Sequence, residues 1–492
     1  MVELTTERDV DTLRQVSLLL DRENQRLIAK TVHLTAELAR LRGVTDPEQL
    51  ELAVRQQLEQ ARAQVFARDI GAPAAPTPRP AAPGHGPRAQ PDLPIVEQHH
   101  ALPDDQRDCP ACGGALTAMT GQYETSERIT TVKLTYQVEH HHRQKYRCAC
   151  NGAVVTAPGP AALIPGGRYA PAFAVGVAVA KYADHLPLER QVRMMAREGL
   201  IVTSQTLWDQ LNALARHLAP SYEALLQRAL AAPVIHVDET RWPILGSAGS
   251  AAGTVWTVRT PTASVYRILP GKSADEGRQV LGGYRGTVVA DGFAVYEVLA
   301  RDGPGFTLAQ CWAHTKRKYG DIADQWPVAC GDISALIGEL YAIERLVPGP
   351  FPGDAAAQAL RGQLRRERSQ PVVDRIWHWA TVQVGLPRSE FGKAVRYMLE
   401  RWDGLTRFVT DPQVNLDNNA AERALRGPVV GRKNHYGSRS LRGTQVAALC
   451  YTLCETARLV GVDAQAYLLR AIEAALVAPG TVTLPDALLP TD

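Results

Sequence analysis

Net charge, long apolar runs and cysteine are all scarce in this 492-residue sequence. The formal charge is only +3, too small by itself to specify a polyanionic partner. The longest apolar run, near Ala172 to Ala180, is about half of what spans a bilayer, so no membrane partner is expected. The opening MVELTTERDV is charged and lacks an apolar core, so it does not read as a secretory signal. The chain is therefore expected in the cytoplasm. Its eight cysteines, in a reducing compartment, read as metal ligands or core residues rather than disulfides. The remaining composition, 45% apolar and 21% charged, is that of an ordinary soluble protein. The length corresponds to about three or four domains.

Where the charges fall matters more than their sum. From Arg423 to Arg442 there are six Lys or Arg residues and no acid. Lys316, Arg317 and Lys318 form a second basic run. Such patches neutralise phosphates and release counterions even when total charge is modest.

The pattern along the chain marks out a multidomain protein. Leu13, Leu20, Leu27, Leu34 and Leu41 recur every seven residues, with Asn24 among the a positions. A leucine d stripe with a buried Asn favours a parallel two-stranded coil, and hence a homodimer. The weak a positions Ser17 and Thr31 leave open an amphipathic helix packed on its own protein. Residues 1–69 are assigned to this coiled-coil, helical dimerisation region. Residues 70–95 are a linker, because GAPAAPTPRPAAPGHGPRAQPDLP carries eight prolines and cannot bury a core.

Residues 96–157 read as a zinc-ribbon-like domain. Cys109 and Cys112, then Cys148 and Cys150, flank TTVKLTYQV, which would set Val132, Leu134, Tyr136 and Val138 on one face of a strand. Four thiolates suit tetrahedral Zn²⁺, which would supply most of so small a domain's folding energy. The second knuckle has one intervening residue where two are usual, and His140, His141 and His142 stand nearby as substitutes. Residues 158–232 read as a helical, helix-turn-helix-like domain: two helices joined at Gly199, the second capped by Thr203 or Ser204. Plain helical packing is the competing reading.

The period then changes from 3.6 to 2. PVIHVDET, GTVWTVRT, ASVYRIL, GTVVADGF and FTLAQCW read as five short strands, with helices near Ser273 to Leu281 and Ala294 to Ala300. That is an α/β layout with a mixed sheet. Residues 233–320 form the first part of this core, 321–412 a helical insertion, 413–440 the last core helix, and 441–492 a C-terminal helical region.

Asp238 and Asp291 each end an apolar strand. Ligands gather at the carboxyl ends of strands in open α/β sheets, and two carboxylates there are stable together mainly with a cation between them. Glu422 opens a later helix and is followed by Arg423, Arg426, Arg432 and Lys433. Two Mg²⁺ or Mn²⁺ ions on three such acids would stabilise the attacking and leaving oxygens of an in-line displacement at phosphorus. Each residue also has a simpler reading. Asp291 before Gly292 is a turn signal, and Asp238 would cap a loop. Asn419 and Glu422 fit a capping box, and Glu422 with Arg426 fits a helical ion pair. His236 shares the strand face of Asp238 and reads equally as a partner of that acid or as a satisfied interior histidine; His314 precedes the basic run and reads equally as a phosphate contact or as part of a solvated helix face. Cys311, Cys330, Cys450 and Cys454 read as core.

HVDET, VVADGFAVYE, CWAHTKRKY and DNNAAERALRGPVVGRKN occur in that order and resemble the signature blocks of the insertion-sequence transposases of the sixty-sixth family. The likeness also covers the cysteine knuckles, KYADHLPLERQ and the C-terminal YTLCETARLVGVDAQAYL. It departs at His435-Tyr436, where the family more often has an apolar pair. The resemblance implies a DDE-type transposase with an RNase H-like catalytic core, Asp238, Asp291 and Glu422 as its acidic triad, and Mg²⁺ as cofactor. The expected partner is double-stranded DNA, both the terminal inverted repeats and the target, contacted by Lys316, Arg317, Lys318, Arg423, Arg426, Arg432 and Lys433. Accessory proteins of the same element and association with the nucleoid are further expectations. The rivals are a non-catalytic DNA-binding regulator and a nuclease of the same fold that cuts without joining.

Overall fold

The computed structural model describes residues 26, 111–115, 136–147, 154–246, 249–302, 305–383 and 388–489. The chain divides into two compact units, Met1–Thr131 and Val132–Asp492. The leucine heptads, the linker, Cys109, Cys148 and Cys150 lie outside the described residues.

A five-stranded mixed sheet organises the second unit. Its strands are β3 (Val234–Gly246), β4 (Gly249–Arg259), β5 (Ser264–Leu269), β6 (Thr287–Ala290) and β7 (Thr307–Gln310), in spatial order β5-β4-β3-β6-β7. The first three form an antiparallel meander, while β6 and β7 are parallel to β3. Helices α4 (Ala274–Leu281) and α5 (Ala294–Asp302) make the crossovers. α4 begins with a capping box between Ser273 and Glu276, which satisfies the helix's first free amides. The small pair β1 (Lys145–Arg147) and β2 (Val154–Thr156) is antiparallel.

All five expected strands form, but β3 runs six residues past HVDET. Trp242 and Ile244 are buried there, so the period-2 pattern continues. Pro243 is tolerated because β6 pairs only with Val234 to His236, leaving β3 an open edge where a missing N–H costs nothing. The segment after Tyr436 fills that edge: the Ser438 N–H donates to the Pro243 carbonyl (3.1 Å) and the Leu245 N–H to the Ser438 carbonyl (2.7 Å).

The sheet separates two cores. On one side Ile235, Val237, Val288 and Ala290 pack with α1 (Pro171–Tyr182), α3 (Ser204–Leu230), α14 (Leu441–Leu459) and α15 (Ala464–Val477). Leu207, Leu211, Leu214 and Leu218 supply α3's buried stripe. The turn between α2 (Leu188–Arg197) and α3 falls at Gly199, whose φ is +85°, and Thr203 caps α3 by accepting from the Thr206 N–H. On the other side Val289, Ala309 and α6 (Trp312–Gly320) join the helical insertion: α7 (Pro327–Glu344), α8 (Ala355–Leu364), α9 (Gln370–Thr381), α10 (Glu390–Glu400) and α11 (Trp402–Thr410). A π-helical turn, Arg365–Ser369, links α8 to α9. It carries the fully buried Arg365, which holds Glu344 through two nitrogens (2.7 and 2.9 Å) and donates to the Phe408 and Asp411 carbonyls. Two short helices, α12 (Asn419–Ala424) and α13 (Arg426–His435), return the chain to the sheet.

One expected strand is corrected in part. Tyr136 and Val138 lie in coil rather than on a strand face, and both are exposed. Tyr136 instead meets Phe173 edge-on at 6.3 Å. The ladder forms across the second knuckle, Lys145–Arg147 against Val154–Thr156, where the chain reverses within hydrogen-bonding reach. Val132 and Leu134 lie outside the described residues.

Candidate active site

Side chains alternate along β3. His236 and Asp238 face the insertion side, while Glu239 faces the crossover helices. The second acid, Asp291, follows directly on β6, the neighbouring parallel strand. Its Oδ1 accepts from the Phe293 N–H (2.9 Å), the turn role its Gly neighbour led one to expect. That bond leaves the other carboxylate oxygen available. Gly292 is required for packing: an added Cβ would collide with the Tyr397 hydroxyl.

The third acid reaches the sheet through Asn418. This residue is fully buried. Its Nδ2 donates to the Val237 carbonyl (2.6 Å), its Oδ1 meets His236 Nδ1 (3.2 Å), and its backbone N–H donates to Cys311 Sγ (3.2 Å). The Asn418 side chain therefore ties the start of α12 to β3, and its backbone N–H ties it to the end of β7. Glu422 follows one helical turn later, within the same short helix.

Glu422 is not a cap. No side-chain cap bond forms at this helix start, and Asp417 takes the Asn419 N–H instead (3.1 Å). Nor does Glu422 pair with Arg426. Its carboxylate lies 3.5 Å from His314 Nε2 and 3.7 Å from Arg317, and its Oε1 is buried without a hydrogen-bond partner. A buried carboxylate oxygen with nothing donating to it is an unfilled acceptor.

Asp238 is perturbed by its surroundings. Burial pushes the Asp238 pKa up to about 7, and the adjacent Glu239 carboxylate adds to this. The Glu239 N–H bond opposes the shift, while Asp291 and Glu422 both reinforce it. Glu239 is likewise raised to about 7, by burial first and then by Asp291, against the Tyr296 hydroxyl that donates to it (2.7 Å). His236 is pushed down to about 4 by burial and is a neutral, positioned interior residue. The donor set is hard oxygen with mutual repulsion, which fits a divalent cation. The acids are not closed around one point, since among the described residues no three His, Cys, Asp or Glu side chains are grouped tightly enough to hold a metal ion.

The basic residues fall into two sets. Lys316, Arg317, Lys318, Arg423, Arg426 and Lys433 are exposed. Arg432 is not free as expected, because it donates to Thr240 Oγ1 (3.0 Å) and to the Arg241 carbonyl, bracing α13 on β3. His435 is a core contact: edge-on to Trp242 (5.7 Å), within 3.3 Å of the Tyr451 hydroxyl, and lowered to about 4 by burial. Cys311, Cys330, Cys450 and Cys454 are buried, as expected, and Cys112 is exposed in a turn where Gly113 takes φ +74°. Sequence reasoning missed Asn418, Glu239 and Tyr397. DNNAAE reads locally as a helix start, and nothing local reveals a partner on β3.

Helices on a mixed sheet, with one acid inside β3, one directly after β6 and a third on a late helix, define an α/β protein with a candidate acidic site. The comparisons make this specific. Residues 166–446 match the model described as "Transposase IS66 family", and residues 106–151 match the "zinc-finger binding domain of transposase IS66". The first match covers more than half of the chain and all three acids. The chain belongs to the IS66 family of transposases. Its zinc-finger match supports a structural zinc. Three relatives from Sinorhizobium fredii (strain NBRC 101917 / NGR234) are similar: uncharacterized protein y4hP at 29% identity over 80% of this chain and 75% of its own, y4jD at 30% over 78% of each, and y4qI at 31% over 72% and 68%. No helix among the described residues is long and apolar enough to cross a membrane.

Proposed function

We propose that the chain is a DDE-type transposase that cleaves double-stranded DNA at the terminal inverted repeats of its element and joins the freed end to target DNA. The sheet order, an antiparallel meander followed by two parallel strands, supports an RNase H-like core. The observation that carries the proposal is that Asp238 and Asp291 sit on adjacent parallel strands, with Asp291 and Glu422, acids far apart in sequence, both adding to the upward shift of Asp238.

Asp238, Asp291 and Glu422 would hold two Mg²⁺ or Mn²⁺ ions. When bound, the ions supply Lewis-acid stabilisation of charge at the phosphate and favour deprotonation of the nucleophile. The chain's own residues do the rest. Asn418 fixes the distance from α12 to β3, and Arg317, 3.7 Å from Glu422, offsets its charge when no cation is present. The exposed Lys316, Lys318, Arg423, Arg426 and Lys433 line up DNA phosphates. In cleavage a water oxygen bonds to phosphorus and the bond to the 3′ oxygen breaks, leaving a 3′-hydroxyl and a 5′-phosphate. In joining, that hydroxyl attacks a target phosphodiester and the target's own 3′ oxygen leaves. Cys109, Cys112, Cys148 and Cys150 are the proposed zinc ligands, and the N-terminal heptads the dimer contact.

Mg²⁺-dependent nicking of the element's end DNA, abolished in Asp238→Asn, is the expected result. Binding without nicking by the unaltered protein would instead mark a regulator. Nicking without strand transfer would mark a nuclease.

A further inference from the structure

Beside Asp291, on the insertion side, lies a cation and a hydroxyl that the protein does not use. Tyr397, on α10, presses its hydroxyl against the Gly292 backbone, leaving no room there for a Cβ. Two cations approach its ring, Arg401 at 4.1 Å and Lys318 at 4.4 Å from the centroid. Their situations differ. Arg401 is neutralised by Glu297 (2.7 Å) and also donates to the Gly292 carbonyl (3.3 Å). Lys318 is exposed and has no ion pair among the described residues. No hydrogen bond is formed by the Tyr397 hydroxyl among the described residues either.

We propose that Lys318 and Tyr397 form a binding site for one DNA backbone phosphate next to the phosphate held at Asp291. The inference rests on the transposase reading and adds to it that the helical insertion itself grips the substrate. The chemistry follows from what is unpaired. An ammonium held over an aromatic face supplies charge, and a phenolic O–H supplies a directional donor; a phosphate oxygen takes both. Arg401 anchors the ring, and Gly292 lets the hydroxyl sit close to the second acid. The site thereby sets the register between the DNA strand and the acids. Tyr397 is a binding residue here, with no part in bond making.

The test uses the full-length protein and duplex DNA taken from the borders of its own element, with Ca²⁺ present to prevent cutting. Phosphates around the cleavage position are replaced one at a time by neutral methylphosphonates, and affinity is read by fluorescence anisotropy. Wild type should lose about tenfold or more at one position, the scale of a charge-assisted hydrogen bond. Lys318→Gln and Tyr397→Phe should bind more weakly overall and lose the penalty at that position alone. Lys318→Gln should also lower the salt dependence of binding by about one counterion. Unchanged penalty profiles in both variants overturn the proposal. Asp238→Asn separates the two levels of argument: it should keep the wild-type profile while abolishing nicking in Mg²⁺. Should it still nick, the transposase reading falls; should it fail to nick while both variants keep full profiles, only the phosphate site falls.

Discussion

Replacing Asn418 by Leu would remove the link on which the position of the third acid depends. The side chain is fully buried and holds two groups on β3, the Val237 carbonyl at 2.6 Å and His236 Nδ1 at 3.2 Å. Leu keeps the volume, so no large cavity term arises. It also supplies neither donor nor acceptor. Each buried group left without a partner costs about 1–3 kcal/mol, so the pair should cost about 2–6 kcal/mol. The urea midpoint should fall with little change in slope, since the same surface is exposed on unfolding. Mn²⁺ affinity should fall in parallel, because α12 no longer has a fixed distance to Asp238. Asn418→Asp should also destabilise, as it keeps an acceptor for His236 but presents a charge to the Val237 carbonyl. A loss within about 0.5 kcal/mol of zero, the range of neutral surface changes, with unaltered Mn²⁺ binding, would refute the role given to Asn418.

Gly292→Ala should destabilise by about 1–3 kcal/mol through overpacking against Tyr397, and in a Tyr397→Ala background most of that cost should vanish in a thermal-unfolding cycle; equal costs in both backgrounds would count against the contact. Arg365→Ala should cost about 3–5 kcal/mol, since it strips the Phe408 and Asp411 carbonyls of their donor and leaves Glu344 with only Arg361 at 3.5 Å, read by denaturant unfolding. Asp238, held up to about 7 chiefly by burial and Glu239, keeps in the fold a proton that the unfolded chain releases near pH 4. Its favourable contribution is complete below about pH 4 and lost as pH rises to about 7. In EDTA the stability advantage of Asp238→Asn over wild type should therefore grow across that window and then level off; His236 and His435 titrate with opposite sign but cancel in the difference. A gap independent of pH would contradict the shift. Removing zinc with a strong chelator should release about one ion per chain and unfold the knuckle region in hydrogen exchange, and Cys112→Ser should do the same without chelator.

The strands were legible because a two-residue period is a local signal and burial of one face enforces it. VIHV, VWTV and VVA therefore announced β3, β4 and β6; Asp291 ends its strand as read, whereas Asp238 lies inside β3, which runs on to Gly246. The extension of β3 through Pro243 was hidden by a residue that normally argues against a strand. It is permitted because β6 pairs no further than His236, so nothing on that edge requires the missing N–H. Long-range ties were illegible for the same reason: His236 meets a side chain 182 positions away, and no spacing rule reaches so far. Arg432 illustrates the converse. A basic residue in a basic run reads as a DNA contact, yet a cation beside a strand edge with free carbonyls can be drawn into the fold. The capping-box reading of Glu422 was reasonable on sequence, and Asp417 displaces it by reaching Asn419 first.

The central claim is that Asp238, Asp291 and Glu422 together hold divalent cations. Calorimetric titration of the full-length protein with Mn²⁺, in parallel with Asp238→Asn, Asp291→Asn and Glu422→Gln, tests it most directly. The expected result is binding by wild type and a loss of about tenfold or more in each variant, since altering even a ligand's outer partner costs that much. Wild-type affinity in Glu422→Gln would contradict the claim, for the late acid would then lie outside the site.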